Sequence, residues 1–323
     1  MQGTYVFLFT SKKGEHILEM KIAEKSWNTK SKIWTERRGR IITFSSVFIM
    51  ILVAISIISF VATKGLSTFI VNHGSFVDFI TGKDWSPGKL DSLGKPLIGA
   101  LPLIVGSFAV TFFAAIVSAP LSIGAAVFMT EISPKFGKKI LQPVIELLVG
   151  IPSVVYGFVG LSIVVPLLRN TFSGSGFGIL AGTIVLSVMI LPTITSLSVD
   201  AIQSVSNSLR EASLSLGATR WQTIYRVILR TARPGLMTAI VFGMARAFGE
   251  ALAVQMVIGN AAILPHSLVE PATTLTSILT MGMGNSIMGQ VENNALWSLA
   301  LVLLFMSLFF ILIVRIIGRG RSY

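Results

Sequence analysis

Arg246 and Glu250 lie four residues apart inside the apolar stretch Leu236 to Ile258, and their placement demands a chemical reason. A charge at the centre of a membrane helix costs on the order of 2.5–3.5 kcal/mol on insertion scales, so each must face protein, water or the other. Counted from Gly235 at about 1.5 Å per residue, Arg246 is expected about 16 Å into a helical span, near the bilayer middle. Glu250 is expected one turn further along the same face. Two chemistries fit. A guanidinium that never deprotonates and presents a planar fork suits passage of a phosphate-like anion. Alternatively the two residues form a structural ion pair, which apolar residues of similar volume could replace at little cost to folding.

A second constellation is the polar interruption Glu211-Ala212-Ser213-Leu214-Ser215-Leu216-Gly217-Ala218-Thr219-Arg220-Trp221, set between two long apolar segments and followed by Arg226, Arg230 and Arg233. A short amphipathic, basic helix placed there reads as a handle for a partner in the cytoplasm. The remaining polar residues carry less. Glu146 near the start of its helix suits the positive dipole end, and Glu131 and Asp200 at span ends read as interfacial. His16, His73 and His266 are scattered and offer no ligand set. With no Cys there are no disulfides or thiolate sites. Gly82 to Leu90 approaches a phosphate-binding loop, but it has one residue too many and ends in Leu, so energy for transport must come from elsewhere. No nucleophile elbow, metal motif or dinucleotide fingerprint appears.

The elements that must carry these residues are membrane helices. Hydrophobic residues make up 53% of the chain and charged residues only 12%, with a mean hydropathy of +0.79. Soluble domains carry about 25% charged residues. The expected fold is all-α and integral to the membrane, with six transmembrane helices near Ile41–Thr63, Leu97–Thr130, Val144–Leu168, Phe177–Val199, Leu236–Ile258 and Leu296–Ile317. Pro102, Pro120 and Pro152 mark candidate breaks. The sequence Gly150-Ile151-Pro152-Ser153-Val154-Val155-Tyr156-Gly157 suits either close helix packing or a broken helix lining a pathway.

Charge distribution sets topology. Of the 26 Lys and Arg residues, twenty fall on one side, five on the other, and Arg246 inside a span. The positive-inside rule then places both termini in the cytoplasm, and the net charge of +12 marks a membrane surface rather than nucleic acid. Residues 1–40 are expected as a basic arm, disordered or lying on the anionic leaflet, and residues 41–323 as the transmembrane domain. The Tyr5 to Phe9 run is too short for a signal peptide, Ile41 onward reads as an uncleaved anchor, and Met20 is a second candidate start. Outside the cell, Gly65 to Pro96 suggests an interfacial helix followed by a turn at Asp84 to Gly88, and Gly259 to Trp297 a partly re-entrant cap.

Several segments together resemble the PstC-type permeases of phosphate-specific ABC importers. They are Asp84-Trp85-Ser86-Pro87, the stretch from Glu146 to Phe158, Arg246-Ala247-Phe248-Gly249-Glu250-Ala251-Leu252-Ala253-Val254, and Ile258-Gly259-Asn260 leading to Pro271-Ala272-Thr273-Thr274-Leu275-Thr276. To these is added a block similar to the EAA loop of such permeases: Glu211, Ala212, Ser213, Gly217, Val227 and Leu229. This chain departs from the loop pattern in carrying Arg230 where the family has Pro, its own Pro being delayed to Pro234.

The resemblance runs from about residue 40 to the C-terminus. It implies a type I ABC importer permease fold with a cytoplasmic EAA coupling helix in the region of about 205–235. Glu211, Ala212, Gly217, Arg220 and Trp221 would couple to an ATPase, and Arg246 and Glu250 would lie on the substrate pathway. The implied partners are a PstA-like sister permease, two copies of a cytoplasmic ATPase, an extracytoplasmic phosphate-binding protein, phosphate and the cell-membrane bilayer. ATP and Mg would be used by the ATPase, with no cofactor on this chain and no enzymatic step of its own. Three alternatives stay open. A permease for molybdate or sulfate would share these motifs. A secondary transporter or channel would have no use for the docking element, and a membrane enzyme would need a nucleophile or metal cluster.

Overall fold

The computed structural model of the chain describes residues 12–90, 94–172 and 174–318. Two compact units divide it, residues 1–60 and 61–323. In the first unit residues 12–60 are helical, part of helix α1 (Lys12–Ile70). The arm expected before Ile41 is therefore helical from Lys12 onward, while the Tyr5 to Phe9 run lies outside the described residues. The reason is local: no Pro interrupts residues 12–70, Arg40 pairs with Glu36 at 3.7 Å, and the Arg38 guanidinium stacks 3.8 Å over the Trp34 ring. Phe44, Phe48, Met50 and Ile55 are exposed all round this rod, as a surface solvated by lipid requires.

The second unit opens with the last turns of α1, then α2 (Phe76–Thr81) and an antiparallel pair of strands, β1 (Trp85–Leu90) and β2 (Pro96–Ile98). Trp85 faces Ile98 and Ser86 faces Leu97. The pair stands where a simple turn was expected at Asp84 to Gly88. Next come α3 (Leu101–Val127), extended by a π-helical turn through Ile132, α4 (Pro134–Phe136) and α5 (Gln142–Gly150). Beyond a break lie α6 (Ser153–Val159) and α7 (Val165–Thr171), joined by π-helical residues 160–164, then α8 (Ile179–Gln203) and α9 (Asn207–Ser215). Helix α10 (Arg220–Gln222) continues through a π-helical stretch into α11 (Leu229–Phe248), followed by α12 (Leu252–Gln255), α13 (Leu275–Gly282) and α14 (Val291–Gly318).

Six helical segments among the described residues are long and apolar enough to cross a membrane: Ile33–Ile70, Leu101–Ile132, Ser153–Thr171, Ile179–Gln203, Arg220–Phe248 and Val291–Ile313. Two differ in substance from the hydropathy reading. The third begins at Ser153 because Ile151 turns extended (ψ 126°) ahead of Pro152, which disfavours the helical region for its predecessor. The fifth runs from Arg220 to Phe248 instead of Leu236 to Ile258, so it starts in the EAA block and stops ten residues early.

Helix α3 threads all three apolar clusters of the unit. Its Leu103 joins Phe79, Ile98, Leu275 and Leu299, its Val110 and Ala114 join Ile190, Ile194 and Val254, and its Ala126 and Val127 join Ile202, Ile224 and Ile228. Small residues and hydroxyls hold the helices together where burial of apolar surface gives little drive. Ser122 Oγ donates to Leu191 O on α8 at 3.0 Å, and Ser298 Oγ on α14 lies 2.6 Å from Gly65 O and 2.7 Å from Thr68 Oγ1. Gly106 has no clearance at all, since a Cβ there would stand 2.0 Å from Thr273 O, whereas a Cβ on Gly124 of the same helix meets nothing within 4 Å. Gly106→Ala is accordingly expected to destabilise the protein by about 1–3 kcal/mol through overpacking. Gly124→Ala should be neutral, and thermal unfolding of the two variants in detergent, followed by tryptophan fluorescence, checks the contrast.

Candidate functional site

Arg246 sits in the last turn of α11, where the partial negative charge of the helix end offsets part of its own. The helix stops at Phe248. Its ring is buried between Phe108 of α3 (centroids 5.1 Å apart) and Phe310 of α14 (4.9 Å), and the Gly249 N–H then closes back on Ala245 O and Arg246 O. A membrane helix that ends inside protein is tolerated only where neighbours satisfy the freed backbone, and here they do. The Glu250 N–H donates to Ala247 O at 3.2 Å and Thr276 Oγ1 donates to Glu250 O at 2.7 Å; the start of α13 has its own partners, Ser107 Oγ accepting from Leu275 N at 2.9 Å and Thr274 with Ser277 forming a capping box.

The break separates the two charges that the sequence put on one helical face. Glu250 lies outside any helix, and its Oε1 accepts the Ala253 N–H at 3.2 Å, at the entrance to α12. Arg246 turns the other way, its Nη1 donating to Thr193 Oγ1 of α8, with Tyr156 within electrostatic reach. The expected one-turn spacing is thus corrected, and no ion pair joins the two. Among the described residues the ion pairs are Arg40–Glu36 and Arg210–Glu131.

Arg246 marks the end of a groove. Leu197 and Ala201 of α8, with Pro234, Gly235, Thr238, Ala239 and Phe242 of α11, line an open space of about 320 Å³. One helical turn beyond Phe242 is Arg246, and one turn beyond Leu197 is Thr193, so their hydrogen bond spans the groove's far end. Behind Glu250, by contrast, Ser107, Thr111, Thr274 and Thr276 surround a pocket of about 10 Å³, room for about one water.

The EAA block folds as a helix, a turn and a second helix rather than one helix from Glu211 to Trp221. Ser206 caps the start of α9, which carries Glu211 and Ala212 on exposed positions and ends at Leu216. Gly217 then takes φ +82°, a left-handed conformation natural to glycine, and Thr219 with Gln222 forms the capping box that restarts the chain at Arg220. Leu216 is 89% exposed and Trp221 64%. Nothing in this chain lies within 4 Å of where a Gly217 Cβ would be. Sequence reasoning missed what anchors the block. Glu131, read as interfacial, accepts from Arg210 Nη2 at 2.8 Å and Nε at 3.2 Å across 79 residues of sequence, with both side chains more than four-fifths buried. Charge type alone was the available signal, and it does not name partners.

Six apolar, membrane-length helices among the described residues, the fifth carrying an arginine in a last turn that ends inside the protein, define a multi-pass membrane protein. Residues 118–323 match the family model for the binding-protein-dependent transport system inner membrane component, and the chain belongs to that family, the permease subunits of ABC importers. Membership implies a partner ATPase and a partner binding protein. The chain is 57% identical over 288 residues to the "Probable ABC transporter permease protein YqgH" of Bacillus subtilis (strain 168), covering 89% of this chain and 92% of that protein. It is 32% identical to the "Phosphate transport system permease protein PstC" of Pasteurella multocida (strain Pm70), covering 80% of this chain and 84% of that protein. For the protein of the same name from Mesorhizobium japonicum the identity is again 32%, covering 73% and 76%. The solved MetNI methionine ABC transporter, inward facing, is similar at 22% identity and a TM-score of 0.49 over 68% of this chain and 95% of that chain, too distant a likeness to build on.

The geometry at the break yields a test of Glu250. Glu250→Ala removes the acceptor of the Ala253 N–H and should lower stability by about 1–3 kcal/mol. Glu250→Gln keeps an acceptor and should lose much less, as measured by thermal unfolding of the purified subunit complex.

Proposed function

We propose that this chain is the PstC-type permease of an ATP-driven phosphate importer, working beside a PstA-like sister permease, two copies of the ATPase and a phosphate-binding protein in the cell membrane. Both termini and α9 face the cytoplasm in this reading. ATP and Mg are used at the ATPase, and this chain binds no cofactor. The observation that carries the proposal is Arg246 itself: a permanently charged guanidinium at the end of an open intramembrane groove, held by a neutral hydroxyl and a helix end with no carboxylate in ion-pair contact. Such a group retains capacity for a tetrahedral oxyanion and can meet it with two parallel N–H donors. The PstC relatives favour phosphate among the oxyanions.

Glu250 serves this site indirectly, by fixing the break that presents Arg246. Closure of the ATPases on ATP moves α9 and, through the helices above it, opens the groove alternately to either side. Arg246→Lys keeps the charge but loses the fork, so uptake of radiolabelled phosphate by the reconstituted complex should fall at least tenfold, and Arg246→Gln should abolish it, with subunit assembly retained in both. Undiminished uptake in Arg246→Gln overturns the site. Competition by sulfate or molybdate at phosphate-like concentrations points to another oxyanion, and uptake without the ATPase to a secondary transporter.

The coupling role of Glu211, Ala212, Gly217, Arg220 and Trp221 has its own test. Because an added side chain at Gly217 meets no atom of this chain, its steric effect falls on whatever docks there. Gly217→Asp should leave membrane insertion intact and uncouple uptake from ATP hydrolysis; normal uptake would exclude docking at this turn.

A further inference from the structure

Arg210 makes more contacts to other elements than any display of charge on a surface helix requires. Besides its grip on Glu131, its Nη2 donates to Ile202 O at 3.0 Å in the last turn of α8, its Nη1 donates to Val205 O, and the same Nη1 reaches Asn207 Oδ1 at 3.1 Å. Carbonyls in the last turn of a helix have no partner within the helix, and a cation there also complements the dipole. Arg210 is therefore both the cap of α8 and the counter-ion of the turn that ends α3. Arg220, at the foot of the fifth span, adds a donor to the backbone oxygen of that same Glu131 at 3.2 Å. Four elements meet through the guanidinium groups of Arg210 and Arg220: the π-helical end of α3, the end of α8, helix α9 and α10.

We infer that the Glu131–Arg210 pair, with Arg220, is a clasp that makes α9 move as one rigid body with the ends of α3 and α8. A displacement imposed at the coupling turn then reaches the groove wall on α8 instead of being absorbed in the links on either side of α9. The inference rests on the coupling role proposed for this block and assigns positioning residues to it. Neither Glu131 nor Arg210 touches the exposed docking face. Their burial sets them apart from Glu211 and Trp221, which lie at exposed positions.

The chain contains no Cys, so labels can be placed singly on exposed Lys135 of α4 and Ser208 of α9 after substitution to Cys. In the full reconstituted complex, with partner cysteines replaced, the Lys135→Cys to Ser208→Cys spin-label distance should be narrow and identical in the nucleotide-free and ATP-trapped states. Glu131→Ala and Arg210→Ala should broaden that distance and make it state-dependent. Phosphate uptake should fall at least tenfold in both while basal ATP hydrolysis persists and its stimulation by the binding protein is lost. A merely structural contact would lower the yield of complex without dissociating hydrolysis from uptake. If the alanine variants do not assemble, Glu131→Gln and Arg210→Lys keep the size of each side chain, and each should show the broadened distance with several-fold slower uptake. Parental uptake with a narrow distance in the assembled Glu131 and Arg210 variants overturns the clasp. Gly217→Asp, run in parallel, separates the two ideas: normal uptake there removes the coupling reading itself, whereas an uncoupled Gly217→Asp beside fully coupled clasp variants removes the clasp alone.

Discussion

Inside a bilayer every backbone N–H and C=O must find its partner within the protein, and the second unit of this chain is organised around one place where a helix refuses to supply them. The fifth span stops at Phe248 with the chain still among buried neighbours: Ala253, Val254, Val257 and Ile258 that follow are all buried. The groups freed there are taken up by the Gly249 and Glu250 N–H groups closing on the last turn and by Thr276 on Glu250 O. A continuous helix would have kept Arg246 and Glu250 one turn apart on the same face.

Two arginines show how environment divides one side chain between two uses. Arg210 is saturated: a carboxylate, two backbone oxygens and an amide oxygen share its donors. All but the bond to Asn207, which lies in α9 itself, reach beyond the helix, so its charge is spent on position. Arg246 has a hydroxyl partner and a helix end, and it is only partly buried, one helical turn from the groove-lining Phe242. In the function proposed above Arg246 is the anion-binding group, while a charge with all its donors engaged, like Arg210, is a rivet.

Much of this was legible in the residues. Six spans follow from hydropathy, the break before Ser153 from Pro152, and the exceptional standing of Arg246 from its place in an apolar run. What was not legible depends on contacts distant in sequence. Nothing from Gly249 to Val254 forbids a helix, and the stop coincides with the packing of Phe248 against Phe108 and Phe310, partners distant in sequence. The strand from Trp85 to Leu90 contains Pro87 and Gly88, both turn formers, and exists because Pro96 to Ile98 lies alongside to pair with it. The Glu131–Arg210 contact joins two residues each of which, taken singly, looks like an ordinary charge at a membrane face.

The contact between Gly106 and Thr273 has a mechanical consequence. Helix α3 with its π-helical extension runs from Leu101 to Ile132, a rod of about 48 Å at 1.5 Å per residue. Tilting such a rod by about 5° about one end carries the other through about 4 Å, roughly three-quarters of a helical turn. At the Gly106 end there is no slack, backbone bearing directly on backbone with no side chain between to compress. A displacement of that end of the rod would therefore press directly on Thr273, two residues ahead of α13, with no compressible side chain to absorb it.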